Sequence, residues 1–301
     1  MPQTFNKPAL SIADQIALMR ARGMIVPDQA YAEHVLLHVS YYRLRAYWLY
    51  FEIDLAAGDH TLRQGTTLND VMAIYDFDRR LRLLLIDCIE RIEVALRGSW
   101  AYRMATLQHG PHGYLDPAKY PNSIKFATNV SQLQSEYDRS HEVFVNHYRN
   151  HYGQPSLPPV WMAAEFMSFG LLSKFLSSLG SKADKRAIAQ PFDLEEWALS
   201  SFAHHIAAIR NICAHHGRLW NRRLTVTAQL PRRSADLAAS LEPASGRQIY
   251  NTLTICAHII RKIAPGSDWK MRMVSLLNSH PNQDLAAMGF PSGWRLRPEW
   301  A

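Results

Sequence analysis

Arg210, Asn211 and His215 carry side chains that can act together on one phosphate group. The guanidinium of arginine is always charged and matches phosphate oxygens, and imidazole titrates near neutral pH, so it can take and return a proton. His215 would deprotonate a ribose 2′-hydroxyl or protonate the departing 5′-oxygen, while Arg210 would stabilise the charge that develops on phosphorus. These residue types therefore fit metal-independent cleavage of RNA, and DNA would be inert because it lacks the 2′-hydroxyl.

The three residues fall at the carboxyl end of an amphipathic helix that is predicted from Leu194 to His216. In such a helix Asn211 lies one turn before His215, and Arg210 leaves from another side, from which its long side chain can curl toward the imidazole. Gly217 stands where a left-handed C-terminal cap is expected. The buried stripe is predicted at Phe202, Ile206, Ile209 and Cys213, and the polar positions at His204, His205, Arg210, Asn211, His215 and His216.

An arginine followed by a histidine at this spacing is not specific by itself, because the chain is rich in both residues. An arginine followed four to six residues later by a histidine also occurs at Arg103 and His109, before a Gly–Pro turn. Surface groups on an ordinary helix are the alternative interpretation of Arg210 and His215. Two histidines acting on opposite oxygens would serve better than one, so the chemistry favours a symmetric homodimer. No H-E-x-x-H or C-x-x-C pattern occurs, so no metal is expected.

The charge balance points to a polyanionic partner. Lys and Arg number 33 against 26 acidic residues, and 25 of the basic residues are arginine. From Trp197 through Ala235 there is no Asp or Glu, whereas six arginines and four histidines fall there. Arg218, Arg222 and Arg223 are predicted to contact RNA phosphates. A solvated surface is the alternative for these three, and an arginine-favouring genome is the alternative for the composition.

Tyr42, Arg43 and Arg45 belong to a cluster of aromatic and basic residues from Tyr41 to Trp48. Aromatic rings interleaved with arginine can form a platform on which bases stack. The same spacing is also typical of the packing face of a short helix, so both interpretations stay open.

Composition excludes several classes of protein. A hydrophobic fraction of 48% with 14 glycines and 16 prolines indicates a globular chain and excludes disorder. Cys88, Cys213 and Cys256 are unpaired in sequence, which predicts a reducing compartment. No apolar run is long enough for a membrane span, and the first residues lack the pattern of a signal peptide, so a cytoplasmic location is expected. No glycine-rich phosphate loop occurs, so no nucleotide cofactor is expected.

The periodicity is helical almost throughout, which predicts an all-α fold. Leu224 to Leu230 is the only candidate strand. The predicted helices span residues 11–23, from 28 into the cluster at 41–48, from a cap at Thr67 or Asn69 to the turn at 110–113, 123–148, 158–179 with an interruption at Gly170, from about 184, 194–216, 247–263 and 269–277.

Several stretches, in order along the chain, carry a family resemblance. They are Lys7–Pro8 with Ile12–Gly23, Tyr41–Leu44 with Tyr47–Trp48, Tyr75–Arg82, Ile89–Arg97, Pro158–Met162, Arg210–Asn221, and Met288–Pro291 with Trp294. On these stretches the sequence resembles the Abi-like proteins of the AbiD/AbiF type, which are bacterial abortive-infection factors. That family in turn resembles ribonucleases of the HEPN type, in which an Arg–polar–spacer–His motif lies on a helical bundle that dimerises to form a composite site.

The resemblance implies roles for particular residues. Arg210, Asn211 and His215 match the motif, and His216 is a supporting residue. Glu90 and Glu93 fall on the helix that packs beside the motif helix in HEPN bundles, so one of them is expected to orient His215 or Arg210; pairing with surface arginines is the alternative. The resemblance also implies phage defence or toxin–antitoxin function, in which cleavage of host or viral RNA halts growth, and a small structured RNA as a partner.

The sequence thus predicts an all-α, HEPN-like helical bundle with an additional N-terminal helical module. The expected domains are residues 1–62 for the module, 63–280 for the core and 281–301 for the tail. The expected function is that of a metal-independent endoribonuclease without cofactors, acting on RNA as a homodimer. A non-catalytic RNA-binding or antitoxin-type module and a helical protein–protein adaptor are the alternatives.

Overall fold

The computed structural model describes residue 4 and residues 8–106, 110–280 and 284–301. In this part of the chain the regular elements are thirteen α-helices and short 3-10 turns, with two isolated bridges, Ile25 to Thr67 and Glu52 to Leu62, and no strand. The all-α prediction is confirmed, and His109 lies outside the described residues. The helices are α1 Ile12–Ala21, α2 Gln29–His38, α3 Tyr41–Trp48, α4 Leu68–Thr106, α5 Ser123–Arg139, α6 Val143–His151, α7 Val160–Phe166, α8 Phe169–Ser178, α9 Lys182–Ala189, α10 Glu196–Ala214, α11 Ala235–Ser240, α12 Ile249–Ile263 and α13 Trp269–Asn278.

Side-chain caps that are legible in the sequence begin two of these helices. Ser11 accepts a hydrogen bond from the amide of Asp14 at the start of α1. At the start of α4 the hydroxyl of Thr67 accepts from the amide of Asp70 over 3.1 Å, and the Asp70 carboxylate accepts from the amide of Thr67 over 2.9 Å. These exchanges satisfy amide groups that have no partner within the helix. The predicted caps at Ser11 and Thr67 are confirmed.

Three predicted helices are each divided in two. Ser40 has φ +71° and separates α2 from α3, and residues 140–142 separate α5 from α6. The apolar helix divides at Met167 and Ser168, where the Ser168 hydroxyl caps α8. The predicted interruption at Gly170 is therefore wrong, because Gly170 lies inside α8.

The candidate strand at Leu224 to Leu230 is also wrong. Its amides pair with groups that are not in a strand: Leu224 donates to the carbonyl of Arg247 over 2.8 Å, and Gln229 donates to the Ser201 hydroxyl over 2.9 Å. These two amides are therefore satisfied without a partner strand.

The chain divides into two compact units, and the division falls inside α4 between Arg80 and Leu81. The first unit contains the chain up to Arg80 together with residues around Asn278 to His280, and its core includes Tyr47, whose hydroxyl donates to the buried Asp78 carboxylate over 2.8 Å. The domain bounds expected at residues 62 and 280 stay predictions.

The second unit contains α5 to α12, most of α4 and α13, and residues 284–301. Within it α10 packs against α8 and α9, and every residue of α12 from Ile249 to Ile260 is buried. The last residues join this core, because the Trp300 indole donates to the Thr254 hydroxyl over 3.0 Å. Cys88, Cys213 and Cys256 are buried, and none of the three is in a disulfide.

None of the helices in the described ranges combines the length and apolar character that crossing a bilayer requires.

Candidate functional site

The packing of α10 determines which of its side chains face outward. Phe202, Ile206, Ile209 and Cys213 are all buried, which confirms the predicted apolar stripe. They hold the helix against the core of the second unit. Arg210 and Asn211 lie in the last turn of the helix, His215 caps its end, and all three residues are exposed.

The end of α10 has the hydrogen bonds of a Schellman motif. The amide of Gly217 donates to the carbonyl of Ile212 over 2.8 Å, and the amide of His216 donates to the carbonyl of Cys213 over 3.0 Å. The left-handed residue is His216, with φ +56°, so the predicted left-handed cap at Gly217 is wrong by one position. Gly217 is nevertheless sterically restricted, because a Cβ there would lie 3.2 Å from both the Cγ2 and the carbonyl oxygen of Ile212.

The three motif side chains have no partner within the described part of the chain. Neither a hydrogen bond nor an ion pair of the side chains of Arg210, Asn211 or His215 is found there, although the amide of His215 donates to the carbonyl of Asn211 over 3.0 Å. Asn211 and His215 are one turn apart, and Arg210 leaves the helix about 140° from His215 by helix geometry. An exposed guanidinium without a carboxylate partner keeps its full capacity to bind a phosphate or a second subunit.

A buried arginine contacts the backbone just after the motif. The Arg82 guanidinium on α4 donates to the carbonyl of Gly217 over 3.4 Å, and Arg82 is 6% exposed. Sequence reasoning gave Arg82 no role, because nothing local to α4 indicates which loop lies against it.

The two acidic candidates lie further along α4. Glu93 forms an ion pair with Arg97, and Arg97 also donates to the carbonyls of Ala164 over 2.8 Å and Met167 over 3.0 Å at the end of α7. Glu90 is exposed. Among the described residues neither carboxylate forms a hydrogen bond or ion pair with the motif, so an orienting role stays a prediction. The ion pair of Glu93 with Arg97 is of the kind that the alternative interpretation, pairing with arginines, expects.

Two of the three arginines predicted to contact RNA, Arg222 and Arg223, line a cavity of about 560 Å³. Arg222 and Arg223 are exposed in it, Arg218 is half-buried, and the Arg222 guanidinium donates to the carbonyl of Arg218 over 3.2 Å. Arg247, which sequence reasoning missed because it is distant in the chain, completes a set of three arginines. No acidic residue is among the described residues that line the cavity: Asn221, Arg222, Arg223, Pro243, Ala244, Gly246, Arg247, Gln248 and Ala287.

The aromatic and basic cluster of α3 belongs to the first unit, whereas the motif belongs to the second. Tyr42 is 86% exposed, and Arg43 lies 5.9 Å from the centroid of the Tyr75 ring. Arg45 contacts the ring of His60, with 3.0 Å between its Nη2 and Nδ1 of His60. Tyr42 therefore retains a free ring face, while Tyr47 and Trp48 are buried as the packing interpretation expects.

His205 was predicted at a polar, outward position, and this is wrong. It is 2% exposed, its Nδ1 lies 2.8 Å from the carbonyl of Val226, and its Nε2 lies 2.8 Å from the hydroxyl of Thr252. Because a carbonyl only accepts, Nδ1 carries the proton and Nε2 accepts from Thr252. Burial lowers the pKa of His205, so its imidazole is neutral. No group of three potential metal ligands is found among the described residues.

The fold and the site together define an all-helical protein whose arginine and histidine side chains are presented at the end of one helix. The model of the Abi-like protein family matches residues 34–221, more than half of the chain, and the chain belongs to that family. Membership implies a part in abortive infection, the defence of bacteria against phage. No curated protein and no solved structure matches the chain. The matched range includes α3 and the whole Arg210 to His215 motif, and it ends before Arg222.

Proposed function

We propose that this Abi-like protein is a metal-independent endoribonuclease of the HEPN type, which acts in abortive infection or as a toxin by cutting host or phage RNA. The observation that carries the proposal is the exposure of Arg210, Asn211 and His215 without intramolecular partners at the end of α10. A merely structural arginine would be expected to pair with a carboxylate or a carbonyl, as Arg97 does.

The reaction needs no group from outside the protein. A ribose 2′-hydroxyl loses its proton to one imidazole as its oxygen attacks the adjacent phosphorus, and the bond from phosphorus to the 5′-oxygen breaks. The departing oxygen receives a proton from a second imidazole, which leaves a 2′,3′-cyclic phosphate and a 5′-hydroxyl. Arg210 stabilises the additional negative charge on the phosphate in the transition state, and Asn211 orients a phosphate oxygen.

The second imidazole is proposed to come from a second copy of the chain. One α10 presents His215, and a twofold axis beside it would bring the same residue of the partner to the other side of the scissile phosphate. Because the C-terminal end of α10 is exposed, a second copy of the chain has steric access to it. The homodimer is testable by light scattering at the concentrations used for cleavage.

A second candidate function is RNA binding without cleavage, as in an antitoxin-type module. The three arginines of the 560 Å³ cavity favour it, because a cavity lined by Arg222, Arg223 and Arg247 binds phosphates whether or not His215 acts. An adaptor that binds proteins would need no affinity for RNA, so binding and cleavage assays separate the three functions.

The deciding experiment is cleavage of total RNA in EDTA by the wild type and by the Arg210→Ala and His215→Ala variants. We expect products that end in 2′,3′-cyclic phosphate, an unchanged rate after removal of divalent metal, and a loss of about 100-fold or more in each variant. Arg20→Ala and His141→Ala are matched controls, because both residues are exposed and their side chains have no partner among the described residues.

Each outcome identifies one function. Intact RNA with tight, salt-sensitive binding would replace the nuclease by the RNA-binding module. If both motif variants retained cleavage, the catalytic site would lie elsewhere than on α10. If the protein had no RNA affinity at low salt, the protein–protein adaptor would be the function that remains.

A further inference from the structure

Half of the lysines of the chain line one groove of the second unit. The chain has eight lysines, and Lys125, Lys174, Lys182 and Lys185 fall together in a groove of about 910 Å³ between α5, α8, α9 and the first half of α10. We call this the lysine groove. Sequence reasoning missed it, because its members come from three helices between residues 125 and 185.

The positive charge of the lysine groove is largely uncompensated. Lys174 donates to the side-chain carbonyl of Gln132 over 2.9 Å, and Lys185 donates to the backbone carbonyl of Ser177 over 2.9 Å, so both contact neutral acceptors. The side-chain ammonium groups of Lys125 and Lys182 have no hydrogen bond or ion pair within the described part of the chain. The one described carboxylate of the lining, Glu196, lies 3.6 Å from Arg186. Such a groove attracts a polyanion.

The lining also offers an aromatic face. Trp197 and Ile124 both line the groove, and they are 38% and 79% exposed. An exposed indole beside ammonium groups is the combination on which unpaired bases stack while their phosphates are neutralised. A duplex hides the faces of its bases from such an indole, and an acidic polypeptide has no faces to stack. The groove therefore fits a single-stranded nucleic acid.

The face of α10 that lines the lysine groove also carries Asn211 of the motif. Trp197, Ser201, His204, Ala208 and Asn211 follow one another at intervals of four and three residues, so they share one face of the helix. Trp197, His204 and Asn211 are exposed, and the axial distance from Trp197 to Asn211 is about 21 Å at 1.5 Å per residue. One strand can thus lie in the groove and reach His215 along the same face.

We infer that the lysine groove is the binding track for the single-stranded RNA on one side of the scissile phosphate, with Lys125 and Lys182 on the backbone and Trp197 against a base. This inference rests on the proposed function, since it assigns the substrate of the same helix. It names Trp197 and the two lysines as binding residues that do not take part in the chemistry.

The test measures binding of a short fluorescein-labelled RNA whose riboses are 2′-O-methylated, so that the proposed reaction cannot cut it. Fluorescence anisotropy is recorded over a salt series for the full-length wild type, for Lys125→Gln with Lys182→Gln, and for Trp197→Leu. We expect the double variant to bind about tenfold more weakly with a salt slope lower by about 1.4, the loss of two phosphate contacts. Trp197→Leu should weaken binding about tenfold and leave the slope unchanged.

A second double variant, Lys119→Gln with Lys270→Gln, controls for net charge, because it removes the same charge outside the groove. Wild-type binding by the groove variants would overturn the inference, and so would an equal loss in the control. The groove would be assigned to an acidic polypeptide instead if polyglutamate of equal charge displaced the RNA and Trp197→Leu left the binding affinity unchanged. Thermal melts establish that each variant is folded.

Cleavage of an unmodified RNA separates this inference from the proposed function. If the wild type cuts no RNA while the groove variants lose binding, the inference about the groove is supported and the proposed nuclease function is wrong. If the wild type cuts RNA and the groove variants bind and cut RNA as the wild type does, the nuclease function is supported and the inference about the groove is wrong.

Discussion

The buried guanidinium of Arg82 donates a hydrogen bond to the carbonyl of Gly217 over 3.4 Å. Gly217 completes the Schellman motif that ends α10, two residues after His215. Arg82 is 6% exposed, so this donor is held in place by packing. The backbone that carries the motif is therefore fixed from α4 as well as by its own helix.

Replacement of Arg82 by methionine should lower the kcat of RNA cleavage about tenfold or more and leave KM nearly unchanged. The Gly217 carbonyl would lose its donor and the end of α10 would shift, and small displacements of a catalytic group are costly to rate. Arg82→Lys should recover part of the rate, because lysine also donates to a carbonyl. Steady-state kinetics on a defined RNA give both constants.

Arg97→Met is the control for the loss of an arginine that binds backbone carbonyls, since the half-buried Arg97 binds the carbonyls at the end of α7 instead. We expect it to reduce thermal stability without reducing kcat per folded molecule. Equal losses of kcat in the two variants would show that Arg82 has no positioning role.

Gly217→Ala should destabilise the protein by about 1 kcal/mol and slow cleavage. The new Cβ would lie 3.2 Å from two atoms of Ile212, so the last turn of α10 must open slightly. Gly98→Ala is the matched control, because Gly98 is within α4 and a Cβ there meets nothing within 4 Å. The control should gain up to about 1 kcal/mol from helix propensity. Urea unfolding measures both changes, and a stability gain in both variants would contradict the crowding at Gly217.

The helices were predictable where the sequence carries its own signals. Ser11 and Thr67 are recognisable caps, and the apolar stripe of α10 has a clear period. The breaks at Ser40 and at residues 140–142 were not predictable, because no glycine or proline marks them and apolar residues continue on both sides. Packing within the fold decides these breaks. The helix α11 was missed because its six residues are too few to show a period.

The candidate site was predictable only along α10. Arg210, Asn211 and His215 follow from residue type, helix spacing and family resemblance. Arg82 and Arg247 approach the same helix end or its neighbouring cavity from distant positions in the chain, and no local pattern predicts such contacts. His205 was wrongly predicted to face outward because histidine is a polar residue. In the structure it is in the core, where the Val226 carbonyl and the Thr252 hydroxyl satisfy its two ring nitrogens.

Ser40→Gly should stabilise the first unit by about 1 kcal/mol. Ser40 has φ +71° and ψ +145°, a conformation that a residue with a Cβ adopts at a cost of about 1–3 kcal/mol. The Ser40 hydroxyl accepts from the amide of Arg43 over 3.4 Å, and replacing such a cap by glycine costs only a few tenths of a kcal/mol. Calorimetry should record a higher midpoint for the first unit. Ser181→Gly, at a cap with φ −70°, relieves no strain and should be neutral or destabilising.

Protonation of His205 should make stability fall as the pH is lowered below about 6.5. Burial holds the pKa of His205 below its usual value, so in this range the unfolded chain binds a proton that the folded chain does not. The free energy of unfolding then decreases with falling pH, by at most about 1.4 kcal/mol per pH unit for one group.

His205→Asn should lower stability at pH 7.5 and reduce the decrease in the free energy of unfolding between pH 7.5 and 5.5. The decrease should not vanish, because burial also lowers the pKa of His112. His141→Asn removes an exposed imidazole that is not among the groups that shift the pKa of His205, so it should retain the wild-type slope. Urea unfolding at a series of pH values measures these slopes, and a steeper decrease in His205→Asn than in the wild type would contradict a neutral, buried His205.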